Sequence, residues 1–119
     1  MGEPLPVLVL ISEDPRASHR ANEALRIALG VVAGENPVTV VLVGPAAHLL
    51  DDNTDDLVDG DDIAKFRGSL KRFGISFHVE RSAIPPDGSG WNEDGHAVVP
   101  ISPDEIAGLV AKAERFIVF

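Results

Sequence analysis

Residues 6–15 decide the fold of this chain, and they read Pro-Val-Leu-Val-Leu-Ile-Ser-Glu-Asp-Pro. The first six form a continuous apolar run, which is typical of a strand that is buried on both faces of a parallel sheet. The polar residues and the second proline end that strand in a turn. We therefore predict a first strand at 6–11, followed by a helix that Asp14 caps and Pro15 opens.

The same alternation of strand and helix continues to the last residue. Apolar, β-branched runs predict four more strands: residues 37–43, 75–79, 97–99 and 115–119. Apolar residues at helical spacing predict the helices between them: residues 17–32, 46–50, 63–73 and a helix from 102 onwards. Such alternation implies right-handed crossovers, so we predict one α/β domain over residues 1–119, a three-layer α/β/α sandwich with a mainly parallel five-stranded sheet.

The last helix has the clearest start signal in the sequence. Ser102-Pro103-Asp104-Glu105 combines a hydroxyl side chain before the helix, proline at the first helical position and glutamate three residues after the serine. A serine and a glutamate at this spacing can each accept a hydrogen bond from the other's backbone N–H. The sequence therefore predicts a capping box at Ser102.

Composition excludes several functional classes. The chain has 119 residues, no cysteine and a formal charge of −9. Without cysteine it has no disulfide, thiolate metal site or cysteine nucleophile, and its negative charge disfavours nucleic acid and anionic membranes as partners. The longest apolar stretch, residues 5–11, is too short to span a membrane, so we expect a cytoplasmic protein. The glycine-rich fingerprints of nucleotide sites are missing, and we predict no cofactor.

Two features suggest a metal ion but lack the spacing that one requires. Residues 51–62 are almost wholly acidic and polar, which favours a solvated loop, with a weak divalent-ion site as the alternative. An EF-hand register fails there, because placing Gly60 at the sixth loop position puts Leu57 and Phe66 where oxygen ligands are needed. The four histidines are widely separated, so we predict no metal site.

In parallel sheets, ligands bind at the carboxyl ends of the strands. The polar residues after the predicted strands are therefore our candidate ligand-binding residues: Ser12, Asp14, Gly44, His48, Glu80, Arg81 and Ser82. His48 is the most interesting, since it follows the second strand, although a surface histidine is the more common outcome. No nucleophile motif surrounds Ser12 or Ser82, so we predict no catalytic serine.

Four segments together resemble a known family: Val7–Ile11, Ala24–Gly30, Val41–Leu50 and the closing Ala113–Phe119. Along nearly its whole length the chain resembles the DsrE/DsrF/TusD-like small sulfur-relay proteins. The resemblance implies a five-stranded α/β/α domain that forms homo-oligomers, or hetero-oligomers with related subunits. In active members it also implies a cysteine after the third strand that carries a persulfide.

This chain departs from the family at the sulfur-carrying position. Matching Ser82-Ala83-Ile84 to the family's small-small-aliphatic turn places that position at Val79, and valine cannot hold sulfur. Other subunits of the family also lack the cysteine and serve as structural partners. We therefore expect a non-catalytic, oligomeric binding or assembly module. The alternative is a small hydrolase or transferase that uses Asp14, His48 and Glu80 as acid and base groups.

Overall fold

The computed structural model describes residues 4–119, which form one five-stranded sheet with helices on both faces. The strands are β1 (Val7–Ile11), β2 (Val38–Leu42), β3 (Phe77–Glu80), β4 (Val98–Ile101) and β5 (Arg115–Val118). All of them are parallel, in the order β4-β3-β2-β1-β5. The helices are α1 (Arg20–Ala33), α2 (Gly60–Arg72) and α3 (Pro103–Lys112), with 3-10 helices at Gly44–Leu50 and Arg81–Ala83. The predicted three-layer sandwich is confirmed.

Alternate side chains of the strands feed two separate cores, because successive residues of a strand point to opposite faces of the sheet. On one face, Val9 and Ile11 of β1 are fully buried beneath α1 and α2. On the other face, Leu8 packs beneath α3. That second face is thinly covered, since α3 is its single helix and none of the α3 residues is buried. None of the helices within residues 4–119 is long and apolar enough to cross a membrane.

The strand order brings the polar turns of the chain to one edge of the sheet. The chain advances strand by strand from β1 to β4, and α3 then crosses back to place β5 on the far side of β1. Since all strands run the same way, the turns after β1, β2 and β3 leave the sheet at the same end, where the carboxyl ends of the strands lie. The final strand joins the same sheet as β1, as the sequence predicts, and the structure places it directly beside β1.

The first helix begins later than the sequence predicts. α1 starts at Arg20 and not after Pro15. The Asp14 carboxylate accepts a hydrogen bond from the Arg16 backbone N–H (2.9 Å) and so closes a turn of its own. Short acidic side chains readily make such local turns in competition with helix capping.

The acidic tract is more ordered than a solvated loop. Leu57 within it is buried, and α2 begins at Gly60, inside the stretch predicted to be a loop. A side chain at residue 60 would collide with the carbonyl of Thr54, so this close approach requires glycine. β4 is also longer than predicted, since it includes Pro100 and ends at Ile101. Proline is tolerated there because β4 is an edge strand.

The predicted capping box is present and gives a test of the fold. Ser102 Oγ accepts a hydrogen bond from the Glu105 backbone N–H (3.2 Å), and Glu105 Oε1 accepts one from the Ser102 N–H (3.1 Å). We expect Ser102→Ala to lower the free energy of unfolding by about 1 kcal/mol, because the Glu105 backbone N–H loses its side-chain acceptor. Urea unfolding measures this, with Ser102→Thr as the control that keeps the hydroxyl. Equal stability of wild type and Ser102→Ala would contradict it.

Candidate functional site

A cavity of about 540 Å³ lies at the carboxyl ends of β1, β2 and β3, and we call it the strand-end cavity. Of the predicted ligand-binding residues, Gly44 and His48 line it. The remaining walls come from the turn after β1, the start of the acidic tract and the loop that follows β3. The lining residues are Arg16, Gly44, Ala47, His48, Asp51, Asp52, Asn53, Asp56, Ala83, Pro85, Ser89, Gly90 and Trp91.

One wall of the cavity is the loop of residues 85–95, which we call the Trp91 loop. Its indole Nε1 donates a hydrogen bond to the Ala47 carbonyl (2.7 Å), and Trp91 forms an antiparallel bridge with Asp51. The Asp52 Oδ1 atom accepts a hydrogen bond from the Glu93 N–H (2.7 Å). These bonds join residues about forty positions apart in sequence. The loop is therefore fixed against the acidic tract, and together they enclose the cavity.

His48 and Asp51 form a hydrogen-bonded pair in the cavity wall. His48 Nδ1 lies 2.9 Å from Asp51 Oδ2 and 3.1 Å from Oδ1. Because the carboxylate only accepts, Nδ1 carries a proton, and in the neutral form of the ring Nε2 is then an acceptor. Buried Arg67 of α2 holds the backbone beneath this pair, since its Nη1 donates to the carbonyls of Leu49 (2.9 Å) and Asp51 (2.7 Å).

Asp14 reaches the cavity only through Arg16. The Arg16 guanidinium binds the Asp14 carboxylate twice, at 3.0 Å through Nε and at 2.9 Å through Nη2, and Arg16 in turn lines the cavity. The hydrogen bond from the Arg16 side chain holds the pKa of Asp14 below its ordinary value. Asp14 is therefore ionised and committed to Arg16, which makes it a poor proton donor or acceptor for a ligand.

Glu80 has a structural contact of its own. Its Oε1 accepts a hydrogen bond from the Gly44 N–H (3.1 Å), which links the end of β3 to the turn after β2. That turn needs glycine, because residue 44 has a φ of +56°. The structure thus gives Asp14, His48 and Glu80 three separate partners. Three further predicted residues lie outside the cavity lining: Ser12, Arg81 and Ser82.

Val79, which the family resemblance assigns to the sulfur-carrying position, is fully buried in the core between the sheet and α2. A side chain there has no surface through which to meet a partner's thiol in this conformation.

Ser12 has a hydrogen-bond partner within the fold, since its Oγ donates to the Phe119 carbonyl (3.1 Å) and ties β1 to the end of the chain.

Sequence reasoning missed the residues that complete the cavity. Asp51 and Asp52 lie in the tract that the sequence predicts to be solvated, and Trp91 is not among the predicted site residues. The signal for Trp91 was its position among prolines and glycines in a long loop, which is typical of functional loops. Over residues 4–119, no group of three or more histidine, aspartate or glutamate side chains has the geometry to hold a metal ion.

Comparison with solved structures places the fold. No protein-family profile and no curated protein sequence matches the chain. The crystal structure of the YchN protein from E. coli, a DsrE/TusD-like fold, superposes with a TM-score of 0.73, over 97% of this chain and 99% of that chain. The chain has a DsrE-like fold. At 14% sequence identity the likeness concerns the fold alone.

Within this DsrE-like fold, the docked Trp91 loop gives a testable prediction. Trp91 is the single tryptophan of the chain, so its fluorescence reports on the loop directly. We expect Asp52→Ala to make Trp91 more accessible to acrylamide, because the Glu93 N–H loses its acceptor and the loop is held less firmly. Asp55→Ala, in the same tract but with an exposed side chain, is the control of equal charge. Unchanged quenching in Asp52→Ala would show that this bond does not hold the loop.

Proposed function

We propose that this chain is a non-catalytic DsrE-like module that assembles with a second copy of itself and binds a small polar ligand in the strand-end cavity. The DsrE-like fold and the lack of any cysteine support a role without persulfide transfer by this chain. The observation that carries the ligand proposal is the acidic lining of the strand-end cavity, to which Asp51, Asp52 and Asp56 contribute.

The chemistry of the cavity favours a ligand that donates hydrogen bonds. The aspartate carboxylates of the lining accept hydrogen bonds, and so does His48 Nε2 when the imidazole is neutral. Three aspartates line the cavity, whereas its single lining cation, Arg16, is already paired with Asp14. The cavity is therefore negatively charged. A small amine or a neutral amide fits it better than a carboxylate or phosphate does.

Ligand-observed NMR with small amines and matched carboxylates tests this proposal. We expect saturation transfer to ethanolamine but not to glycolate, with a shift of the Trp91 indole N–H resonance on binding. His48→Ala should weaken the affinity for ethanolamine roughly tenfold, since about one hydrogen bond to a charged or polar donor is lost. His19→Ala, which removes an exposed histidine outside the cavity, is the control. Binding of glycolate in preference to ethanolamine would overturn the assignment of ligand class.

Assembly is supported by the free edge of β5. Phe119 bonds to β1 through both its N–H (to Leu10, 2.9 Å) and its carbonyl (from Ser12, 2.7 Å). Alternate residues of a strand bond to the same neighbour, so the backbone groups of Phe116 and Val118 point away from the sheet. Both side chains are also exposed, by 53% and 54%. An apolar edge of this kind is a template for pairing with another strand.

A second copy satisfies this edge by symmetry. If a two-fold axis passes through Ile117, antiparallel pairing places Phe116 opposite Val118 of the second copy, and Val118 opposite Phe116 of the second copy. Each of these two pairs exchanges two backbone hydrogen bonds, which gives four in total. Arg115 then lies opposite Phe119 of the second copy, whose ring is covered by the Arg20 guanidinium that pairs with Glu13. The opposite edge of the sheet does not offer such a template, because Pro100 in β4 has no N–H to donate.

Light scattering after size-exclusion chromatography tests the assembly. We expect a dimer at micromolar concentration for the wild type and a monomer for Phe116→Asp, because a carboxylate would be buried without a partner at the joined edge. Phe73→Asp is a closely matched control, since Phe73 is 52% exposed at the end of α2, away from β5. A monomeric wild type, or equal dissociation by both variants, would contradict self-assembly through β5.

The second candidate function is a small hydrolase or transferase. The residues predicted for it, Asp14, His48 and Glu80, have separate partners, but the pairing of His48 with Asp51 favours a general base at His48 Nε2. The NMR screen distinguishes this function from binding, because turnover of an added amide or ester would produce new ligand resonances with time. Turnover that His48→Gln abolishes would establish the enzyme in place of the binding module.

A further inference from the structure

We propose that the chain has a second ligand site, for a phosphate group, in a cavity of about 350 Å³ on the outer side of α2. We call it the basic cavity. Its polar lining consists of Arg67, Lys71, Arg72, Asp94 and His96. None of these residues lines the strand-end cavity, so the two sites are separate.

The charge of the basic cavity is opposite to that of the whole chain. Three cations, Arg67, Lys71 and Arg72, line it against one carboxylate, Asp94, in a protein with a formal charge of −9. The Asp94 side chain is 69% exposed, so water screens its charge strongly. A positively charged cavity attracts anions locally, even though the net charge of the chain is negative.

Arg67 is the floor of this cavity and lacks a close counter-ion. Its side chain is 5% exposed, and its Nη1 is occupied by the two backbone carbonyls beneath the His48–Asp51 pair. Its Nη2 approaches only the Asp94 carboxylate, at 3.6 Å. Burial lowers the pKa of Arg67, and the nearby charges of Asp94, Asp52 and Asp51 offset only part of this effect. An anion in the cavity would supply the missing compensation.

His96 adds a hydrogen-bond donor to the lining of the basic cavity. The residue is 6% exposed, yet it lines the cavity, and its Nδ1 is buried without a hydrogen-bond partner in the described part of the chain. Burial, with the nearby charges of Arg67 and Lys71, lowers the pKa of His96, so the ring is neutral. A proton on Nδ1 would be a buried donor without an acceptor, which favours the tautomer with its proton on Nε2. That N–H is a donor suited to an oxyanion.

Lys71 and Arg72, the cations at the rim of the basic cavity, also have a structural role, but this role does not explain why Arg67 is buried at its floor. Lys71 and Arg72 lie in the last turn of α2, where positive charge offsets the helix dipole. Lys71 Nζ donates to the Asp94 carbonyl (2.7 Å) and Arg72 Nη2 to Ser69 Oγ (2.8 Å), and each cation keeps further N–H groups. Helix-dipole compensation does not explain the buried guanidinium of Arg67 at the floor of the cavity. A tetrahedral oxyanion has enough acceptors to meet all four side chains.

Calorimetry with inorganic phosphate at constant ionic strength tests the site. We expect saturable binding that weakens at least about tenfold in the double variant Lys71→Gln/Arg72→Gln, because two charge-assisted hydrogen bonds are lost. Both residues are exposed, so the variant should remain folded. The matched control is Lys65→Gln/Lys112→Gln, which removes the same charge from exposed positions outside the basic cavity.

NMR locates the bound anion. Phosphate should shift the His96 ring resonances and leave the Trp91 indole N–H unchanged, which separates this site from the strand-end cavity. Acetate, with a single charge and two acceptors, should bind more weakly than phosphate. The proposal is overturned if phosphate gives no saturable heat, if the control double variant weakens binding equally, or if the shifts fall outside α2 and residues 94–96.

Discussion

Burial of β1 on both faces and along both edges is the constraint on which the rest of the structure depends. Val9 and Ile11 are inaccessible to solvent, and β2 and β5 pair with the two edges of the strand. Because both neighbours are parallel to β1, the chain must return over a face of the sheet to the end where the strands begin. Helices make these return connections. The same geometry gathers the turns after three strands at one edge, so the position of the strand-end cavity follows from the way β1 is buried.

The cavity itself depends on longer-range bonds than the sheet does. Trp91 and Asp52 join the loop after β3 to the tract after β2, and Arg67 holds that tract from below through two carbonyls. One buried guanidinium therefore lies between two cavities of opposite charge. We propose a donor ligand for the acidic strand-end cavity and an anion for the basic cavity, and only the acidic cavity has the sign of the net charge of −9.

The two faces of the sheet are unequal, and this asymmetry explains the exposed edge. α1 and α2 cover one face, while α3 alone covers the other. Phe116 and Val118 of β5 lie on the α3 face, because they are in register with Leu8 and Leu10. They extend beyond the reach of that single helix and stay exposed. The fold therefore leaves an apolar edge at β5 and a proline-protected edge at β4.

The sequence by itself determined the fold class, the strand run of β1 and the capping box at Ser102, because each depends on residues close together along the chain. It also placed Gly44 and His48 at the correct edge. Only the tertiary structure decided the partners of the charged side chains: Asp14 with Arg16, His48 with Asp51, and Arg67 with distant carbonyls. Such partners follow from strand order and loop docking, which bring together residues that no local pattern relates. The acidic tract was misjudged for this reason, since Leu57 and Asp52 acquire their burial and bonds from segments elsewhere in the sequence.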